Sequence, residues 1–360
     1  MRERGLGGLG VMRSRGAPAH ERPAVAASLP GMDRRRALGI GLVVVAGASF
    51  ASGSIFATLS YREGLDWLTL LGWRFLIGAG LAWTWVALSP SRRGSVRGLT
   101  RRQLAVTLGL GAVYTGNAGT YYAGIETIPA SLAGVIVYIY PVFVALLSLR
   151  FATRLPGRRP WFALALAVVG IVLAVGGVDV SADLPIQGIL LILASAAIYS
   201  VWIVLSARLS GERRDRLGSE VPADATAARD AAGTTAVMMT ATALVFASMA
   251  AVAGAPLDPR TVPSAAWPYL VGIGFLASFL AIQTLYAGAR RIGAAQAALV
   301  STTEPVFIVV LSFVILDQRL APIQLVGAGL ILIGVIIAQT SPRPRGAPEP
   351  ATPLEAEVEG

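Results

Sequence analysis

Apolar residues in this chain come in long unbroken blocks separated by short polar stretches, with neither the alternation of a half-buried strand nor the one-sided stripe of a soluble helix. Bilayer hydrocarbon is about 30 Å thick and a helix rises about 1.5 Å per residue, so a spanning helix needs roughly 20 mostly apolar residues. Ten blocks meet that requirement: 38–59, 68–88, 104–124, 130–149, 161–177, 186–205, 234–254, 268–289, 294–315 and 322–339. The pattern predicts an all-α integral membrane protein of ten transmembrane helices.

The polar stretches carry an orientation signal, because cytoplasmic loops collect positive charge. With the N-terminus inside, the inside segments hold 26 of the 30 basic residues, all of them arginine. The outside loops keep Arg62, Arg260 and Arg319, and Arg74 falls within the second block. An even number of crossings with both termini cytoplasmic fits this split, in a multi-pass protein of the cell membrane. The formal net charge of +10 is thereby read as topology, and no nucleic-acid partner is expected.

Composition agrees: 55% of residues are hydrophobic and 14% charged, with a mean hydropathy of +0.66, beyond what a soluble surface accommodates. There is no Cys, so no disulfide or thiolate metal site can form. His20 alone lies in a polar tail, and no metal or other cofactor is expected. Residues 1–36, rich in Gly, Arg and Pro, and 340–360, rich in Pro and acids, read as disordered tails. The 206–233 stretch reads as a solvated cytoplasmic loop. The run from Met32 resembles a secretory signal but reads as an uncleaved first helix, and Met1, Met12 and Met32 are all candidate starts.

Residues 120–174 repeat at 284–338 with a constant offset of 164 and no gap. Thr120 matches Thr284, Tyr122 matches Tyr286, Gly124 matches Gly288, Pro141 matches Pro305, Phe143 matches Phe307, Ser148 matches Ser312 and Gly170 matches Gly334. By the crossing count, the third span runs outward and its counterpart, the eighth, inward. The expectation is two inverted five-helix repeats, 37–177 and 186–339, a transporter architecture with the substrate near the midplane.

The segments "ASLAGVIVYIYPVFVALLS" at 130–148, "TTEPVFIVVLSFVILDQRLAPIQLVGAGLILIGVIIA" at 302–338 and "WRFLIGAGL" at 73–81 resemble the drug/metabolite transporter superfamily, in its EamA-like ten-helix branch. The resemblance covers the whole membrane region, 37–339. It implies a five-plus-five inverted topology and export of amino acids, related metabolites or drugs. The long N-terminus and the 206–233 loop depart from the family pattern.

Candidate chemistry starts at Pro141 and Pro305, symmetry mates placed about midway along their spans. Each removes a helix hydrogen bond, leaving the carbonyls of Val137 and Ser301 to be satisfied inside protein or a cavity, and is a candidate helix-break hinge. Glu304 is the one acid placed deep in a span. A charge there costs roughly 2.5–3.5 kcal/mol on insertion scales, so it should face the interior and bind a substrate amine or cycle a proton. Arg74 is expected to meet a substrate carboxylate, to pair with Glu304, or to snorkel to the outer interface. On the third span Ala112, Gly116, Thr120 and Gly124 form a small-residue packing face, with Asn117 and Tyr121 on the other side as cavity lining. Tyr199, Trp202, Gln283, Tyr286 and Ser49 are further lining candidates.

The chain has no G-x-x-x-x-G-K-[ST] loop and no HExxH, so neither an ATP-driven pump nor a membrane zinc hydrolase is expected. The function expected is secondary transport of small metabolites by alternating access, with protons as a candidate partner, the bilayer as solvent, and a monomer or homodimer as the unit. A passive channel or a non-transport scaffold is the alternative.

Overall fold

Arg34–Arg62 folds as one 29-residue helix, α1, about 44 Å long at about 1.5 Å per residue, because it holds no proline to stop it. In the computed structural model, residues 34–151, 158–176, 185–209, 232–254, 257–292, 297 and 300–339 are described. Among these the chain forms helices and turns and no strand. Residues 34–36, expected in the disordered N-terminal tail, form the first turn of α1, while the rest of that expectation, the C-terminal tail, His20 and most of the 206–233 loop fall outside the described residues.

Helix α2 (Trp67–Ala87) is started by Asp66, whose Oδ1 accepts from the backbone N–H groups of Leu68 and Thr69 at 2.8 and 2.9 Å. That satisfies two of the four donors a helix start leaves free. A short surface helix, α3 (Pro90–Arg97), follows. Then α4 (Arg101–Ile125) opens on a reciprocal cap between Thr100 and Gln103. The next block is two helices, α5 (Ala130–Val137) and α6 (Tyr140–Phe151), and α7 (Arg159–Gly176) closes the first half.

The second half comprises α8 (Ile186–Leu209), α9 (Ala232–Ala253), α10 (Ser264–Ile292), α11 (Glu304–Leu316) and α12 (Pro322–Gln339). Helix α10 changes winding along its length: a 3-10 turn, an α segment to Gly272, a π-helical stretch Ile273–Leu280, then α again from Ala281. Asp317 stops α11 in a left-handed conformation (φ 54°), and Gln318 N–H then returns to the Ser312 carbonyl at 3.0 Å.

Five helical runs among the described residues are long and apolar enough to cross a membrane: Arg34–Arg62, Trp67–Ala87, Ile186–Leu205, Ala232–Ala253 and Ser264–Ile292. Four more apolar helices are shorter, Ala130–Val144, Trp161–Ala174, Glu304–Leu316 and Pro322–Ile337. Around the bundle Trp161, Phe162, Val172, Phe313, Val314 and Val326 are exposed, an apolar belt that lipid tolerates and water does not. Inside, Leu70, Leu71, Leu132, Ile136, Ile192 and Phe246 are almost wholly buried.

Close crossings hold the bundle together where glycine lets backbones meet. Helices α7 and α12 touch twice: a methyl on Gly170 would lie 2.6 Å from the Gly327 carbonyl oxygen, and one on Gly334 would lie 2.8 Å from that of Ala163. Helices α1 and α10 meet at Gly39 and Gly288, where a methyl on Gly288 would lie 2.8 Å from the Gly39 oxygen. Helices α4 and α8 meet in the same way at Gly124 and Gly188, with added methyls 3.2 and 3.3 Å from the opposing carbonyl oxygens.

Candidate functional site

The fourth and ninth apolar blocks are broken helices. Pro141 and Pro305 stand not midway along a helix but in the first turn of a new one, α6 and α11. This corrects the sequence expectation. A proline has no N–H to lose at a helix start, where the donors are unpaired anyway, so the chain stops and restarts around it. The carbonyl of Ser301 does need a partner, and receives one from the other half: Tyr138 Oη donates to it at 2.8 Å and approaches Glu304 Oε2 at 3.1 Å. Tyr138 lies in the corresponding gap between α5 and α6 and is itself buried. The two breaks thus face each other through a single tyrosine hydroxyl.

Glu304 is half-buried, and α1 approaches it at Gly47, where a methyl would lie 3.7 Å from the Glu304 nitrogen. From Tyr138 a continuous run of rings leads away from the acid. Tyr138 meets Tyr140 edge-on at 5.5 Å between centroids, Tyr140 meets Tyr199 at 4.8 Å, and Tyr199 stacks on Trp202 at 5.8 Å. Trp202 then meets Tyr114 at 5.6 Å, and Tyr114 meets Phe75 at 6.2 Å. These are the separations at which aromatic pairs attract through their quadrupoles. Trp202 Nε1 is fixed by the Leu110 carbonyl at 3.0 Å.

At the far end of the run sits Arg74, 5% exposed. Its guanidinium lies 5.1 Å from the centroid of Phe75 and 4.7 Å from that of Tyr122, cation–π distances. Nε donates to Ser278 Oγ at 2.8 Å, and Nη2 reaches the Ala277 carbonyl at 3.5 Å. Arg74 therefore neither snorkels nor pairs with Glu304: its donors reach the π-helical stretch of α10. Tyr114, Tyr121 and Tyr122 are within electrostatic range of both Arg74 and Glu304. The aromatic run thus has an acid at one end and a buried cation at the other.

The other sequence candidates divide. Tyr199 and Trp202 belong to the run, and Tyr121 meets Tyr122 edge-on at 5.2 Å. Asn117 turns its amide nitrogen to α8. Its Nδ2 donates to the Ser195 hydroxyl and carbonyl at 2.9 and 3.1 Å, and Ser195 Oγ donates back to the Asn117 carbonyl at 3.1 Å. The pair pins α4 to α8 beside Gly124. Gln283 lines a separate cavity of about 240 Å³ with Trp85, Arg92, Thr284 and Arg290. Tyr286 is 41% exposed, within electrostatic range of Tyr199 but in no ring contact among the described residues. Ser49 is buried on α1, two residues from Gly47.

Tyr138, Tyr140, Phe75 and Ser278 were not singled out by the sequence reading. A signal existed for one of them: Tyr140 stands 164 residues before Glu304 and, like it, directly precedes the proline. No sequence signal marks Ser278 as the partner of Arg74, since 204 residues separate them.

The profile of the EamA-like transporter family matches residues 37–176 and 225–340, which together include every helix around the site except α8. The chain belongs to the EamA-like transporter family. It is a multi-pass membrane protein and a transporter. The Bacillus subtilis (strain 168) protein named "Uncharacterized transporter YcbK" is 24% identical over 304 residues, 82% of this chain and 91% of the relative. A protein of known crystal structure, 20% identical, superposes with a TM-score of 0.56 over 84% of this chain and 96% of that one, and shares the fold. In this EamA-like transporter the family match ends at residue 340, so the broken helices, the aromatic run and the buried arginine all lie within the matched segments or on α8 between them.

Proposed function

We propose that this EamA-like transporter is a secondary carrier that exports small metabolites, such as amino acids, related metabolites or drugs, across the cytoplasmic membrane by alternating access. It has ten transmembrane helices in two inverted halves and both termini are cytoplasmic. The observation that carries the reading is the meeting of the two helix breaks, with Tyr138 of one half on Ser301 and Glu304 of the other. Broken helices in corresponding positions of two repeats mark the substrate site in carriers of this architecture.

Support for the inversion comes from the crossings. Adding 164 to Gly170 and subtracting it from Gly327 turns the first α7–α12 contact into the second, Gly334 on Ala163. Such an exchange is what a two-fold axis between the halves produces. An exchange of halves also turns the α1–α10 crossing at Gly39 and Gly288 into the α4–α8 crossing at Gly188 and Gly124, with an offset of 164 between Gly124 and Gly288 and of 149 between Gly39 and Gly188. Two halves that meet through self-matching contacts can rock about the axis without either losing its own packing.

Glu304 is the coupling residue in this reading, holding a substrate amine or a proton, while Pro141 and Pro305 mark the joints and the rings from Tyr138 to Tyr114 line the path. Counterflow in liposomes holding the purified chain tests it. Saturable exchange that is accelerated by substrate on the far side is expected. Non-saturable flux identifies a channel, and absence of flux a scaffold. Glu304→Gln is expected to slow exchange and flatten its dependence on pH, and an unchanged rate and pH profile removes Glu304 from the mechanism.

A further inference from the structure

The offset of 164 that relates 120–174 to 284–338 without a gap changes just ahead of Thr120 and Thr284. Gly109 and Gly111 of α4 correspond to Gly272 and Gly274 of α10 at an offset of 163, yet Thr120 and Thr284 are already 164 apart. The packing fixes this register independently. A methyl on Gly111 would touch the Met238 carbonyl oxygen at 2.6 Å and Ala241 Cβ at 2.8 Å. One on Gly274 would touch the side chain of Ile77 at 2.6 Å and the Arg74 carbonyl oxygen at 3.4 Å. Arg74 and Ile77 are 164 residues before Met238 and Ala241. The second copy therefore has one extra residue between Gly274 and Thr284, and that interval contains most of the π-helical stretch, Ile273–Leu280. A π turn is how a helix absorbs a single inserted residue, and such turns gather at functional sites.

The extra residue builds a dock for Arg74. The wide turn lets Ser278 Oγ lie 3.4 Å from the Ile273 carbonyl, five residues back, while accepting from Arg74 Nε at 2.8 Å. It also offers the Ala277 carbonyl to Nη2. The first copy, which has Met238 facing it instead of an arginine, keeps α4 in ordinary α winding over the equivalent stretch. The insertion and the arginine thus occur on the same side of the two-fold relationship and answer each other.

This dock holds the guanidinium without satisfying it. Nη1 is buried and has no hydrogen-bond partner, and no carboxylate lies within ion-pair distance of Arg74 among the described residues. Arg74 lines a cavity of about 10 Å³ with Phe50, Phe75, Tyr114, Met238, Met239 and Thr242, room for about one water or one carboxylate oxygen. Thr242 does not fill the need as an anion would, since its hydroxyl donates to Gly111 and Met238 carbonyls at 3.0 and 3.1 Å. Arginine stays charged at any accessible pH, and an unpaired buried cation is costly unless something anionic completes it.

Resting on the carrier reading, we infer that Arg74, held by the π turn of α10, is the oxyanion-recognition residue of the pathway, and that the transported solutes carry a carboxylate which Nη1 binds at the Phe75 end of the aromatic run. The rings between Arg74 and Glu304 then accommodate the apolar body of the solute.

Thermal unfolding of the purified full-length chain in detergent, at constant ionic strength, tests this with three probes of one shape: benzoate, benzamide and benzylamine. Benzoate is expected to raise the melting temperature in a saturable way and benzamide to leave it unmoved. Arg74→Met, which copies the residue of the equivalent place, should abolish the benzoate response, and Gly80→Ala on the same helix should keep it. Should Arg74→Met fail to fold, Arg74→Lys, which keeps the charge and loses the planar fork, should weaken benzoate about tenfold, and Ser278→Ala should weaken it by a smaller factor. No benzoate response in the wild type, equal responses to benzoate and benzamide, or a benzoate affinity undiminished in Arg74→Met or, where that variant does not fold, in Arg74→Lys overturns the proposal. Counterflow of the wild type separates the two readings: benzoate binding without exchange of any solute removes the carrier and leaves the anion site, whereas exchange without benzoate selectivity does the reverse.

Discussion

Tyr140 and Glu304 occupy the same place in the two copies, 164 residues apart and each directly before the proline in the first turn of a new helix. One copy puts a neutral ring there and the other an acid, so the broken-helix region is asymmetric in charge although its backbone breaks are matched. If the acid is needed for coupling, Glu304→Tyr, which makes the copies alike, should cut exchange by at least about tenfold, the ~1.4 kcal/mol scale of one charge-assisted hydrogen bond. Tyr140→Phe should stay near the wild-type rate, because it keeps the ring contacts with Tyr138 and Tyr199 and the backbone carbonyl to which Ser200 Oγ donates. Equal effects of the two changes in the liposome assay would place the function in shape and not in charge.

Tyr138→Phe removes the hydroxyl that caps the Ser301 carbonyl. An unsatisfied buried carbonyl costs about 1–3 kcal/mol, so the melting temperature in detergent should fall, and exchange with it. A variant as stable as the wild type would mean that the carbonyl finds another donor.

Glycine position decides tolerance along α7 and α12. Gly334→Ala places a methyl 2.8 Å from the Ala163 carbonyl oxygen, and Gly170→Ala places one 2.6 Å from that of Gly327. Each should destabilise by about 1–3 kcal/mol through forced separation of the helices. Gly329→Ala, with nothing within 4 Å of the new methyl, should be neutral or stabilise by up to about 1 kcal/mol, as alanine restricts the unfolded chain. Melting temperatures of the three variants check the ranking.

Asn117 is spent on Ser195, so Asn117→Ala should lower stability by about 1–3 kcal/mol and leave substrate preference as it was. Tyr199→Ala, which opens the aromatic run between Tyr140 and Trp202, should instead change preference among solutes of different apolar size. A solute panel in the counterflow assay distinguishes them, and a shifted preference in Asn117→Ala would return that residue to the pathway.

The chain has no cysteine, so single cysteines report topology without background. Cysteines at Arg158 and Arg290 should react with an impermeant thiol reagent from the same side of the membrane, and cysteines at Arg62 and Arg319 from the other. Reaction of positions 158 and 290 from opposite sides would end the inverted-repeat reading.

Membrane residence was legible in the sequence because a bilayer imposes a length and a composition on every crossing, and neither depends on which helix neighbours which. The 164-residue repeat was equally legible, being a property of the string, and it located Pro141 and Pro305 and drew attention to Glu304 as an intramembrane acid. What the string could not contain was the side to which each residue turns and what it meets there. Asn117 was read as lining, and nothing in the string showed that its amide nitrogen meets Ser195, 78 residues on. Arg74 offered three readings and none of them named Ser278, because that partner sits in a π turn whose extra residue is silent in hydropathy. Pairings between helices depend on rotation about each axis and on the crossing points that glycines permit. Those are set by the packing of all the helices at once, so only the tertiary structure could decide them.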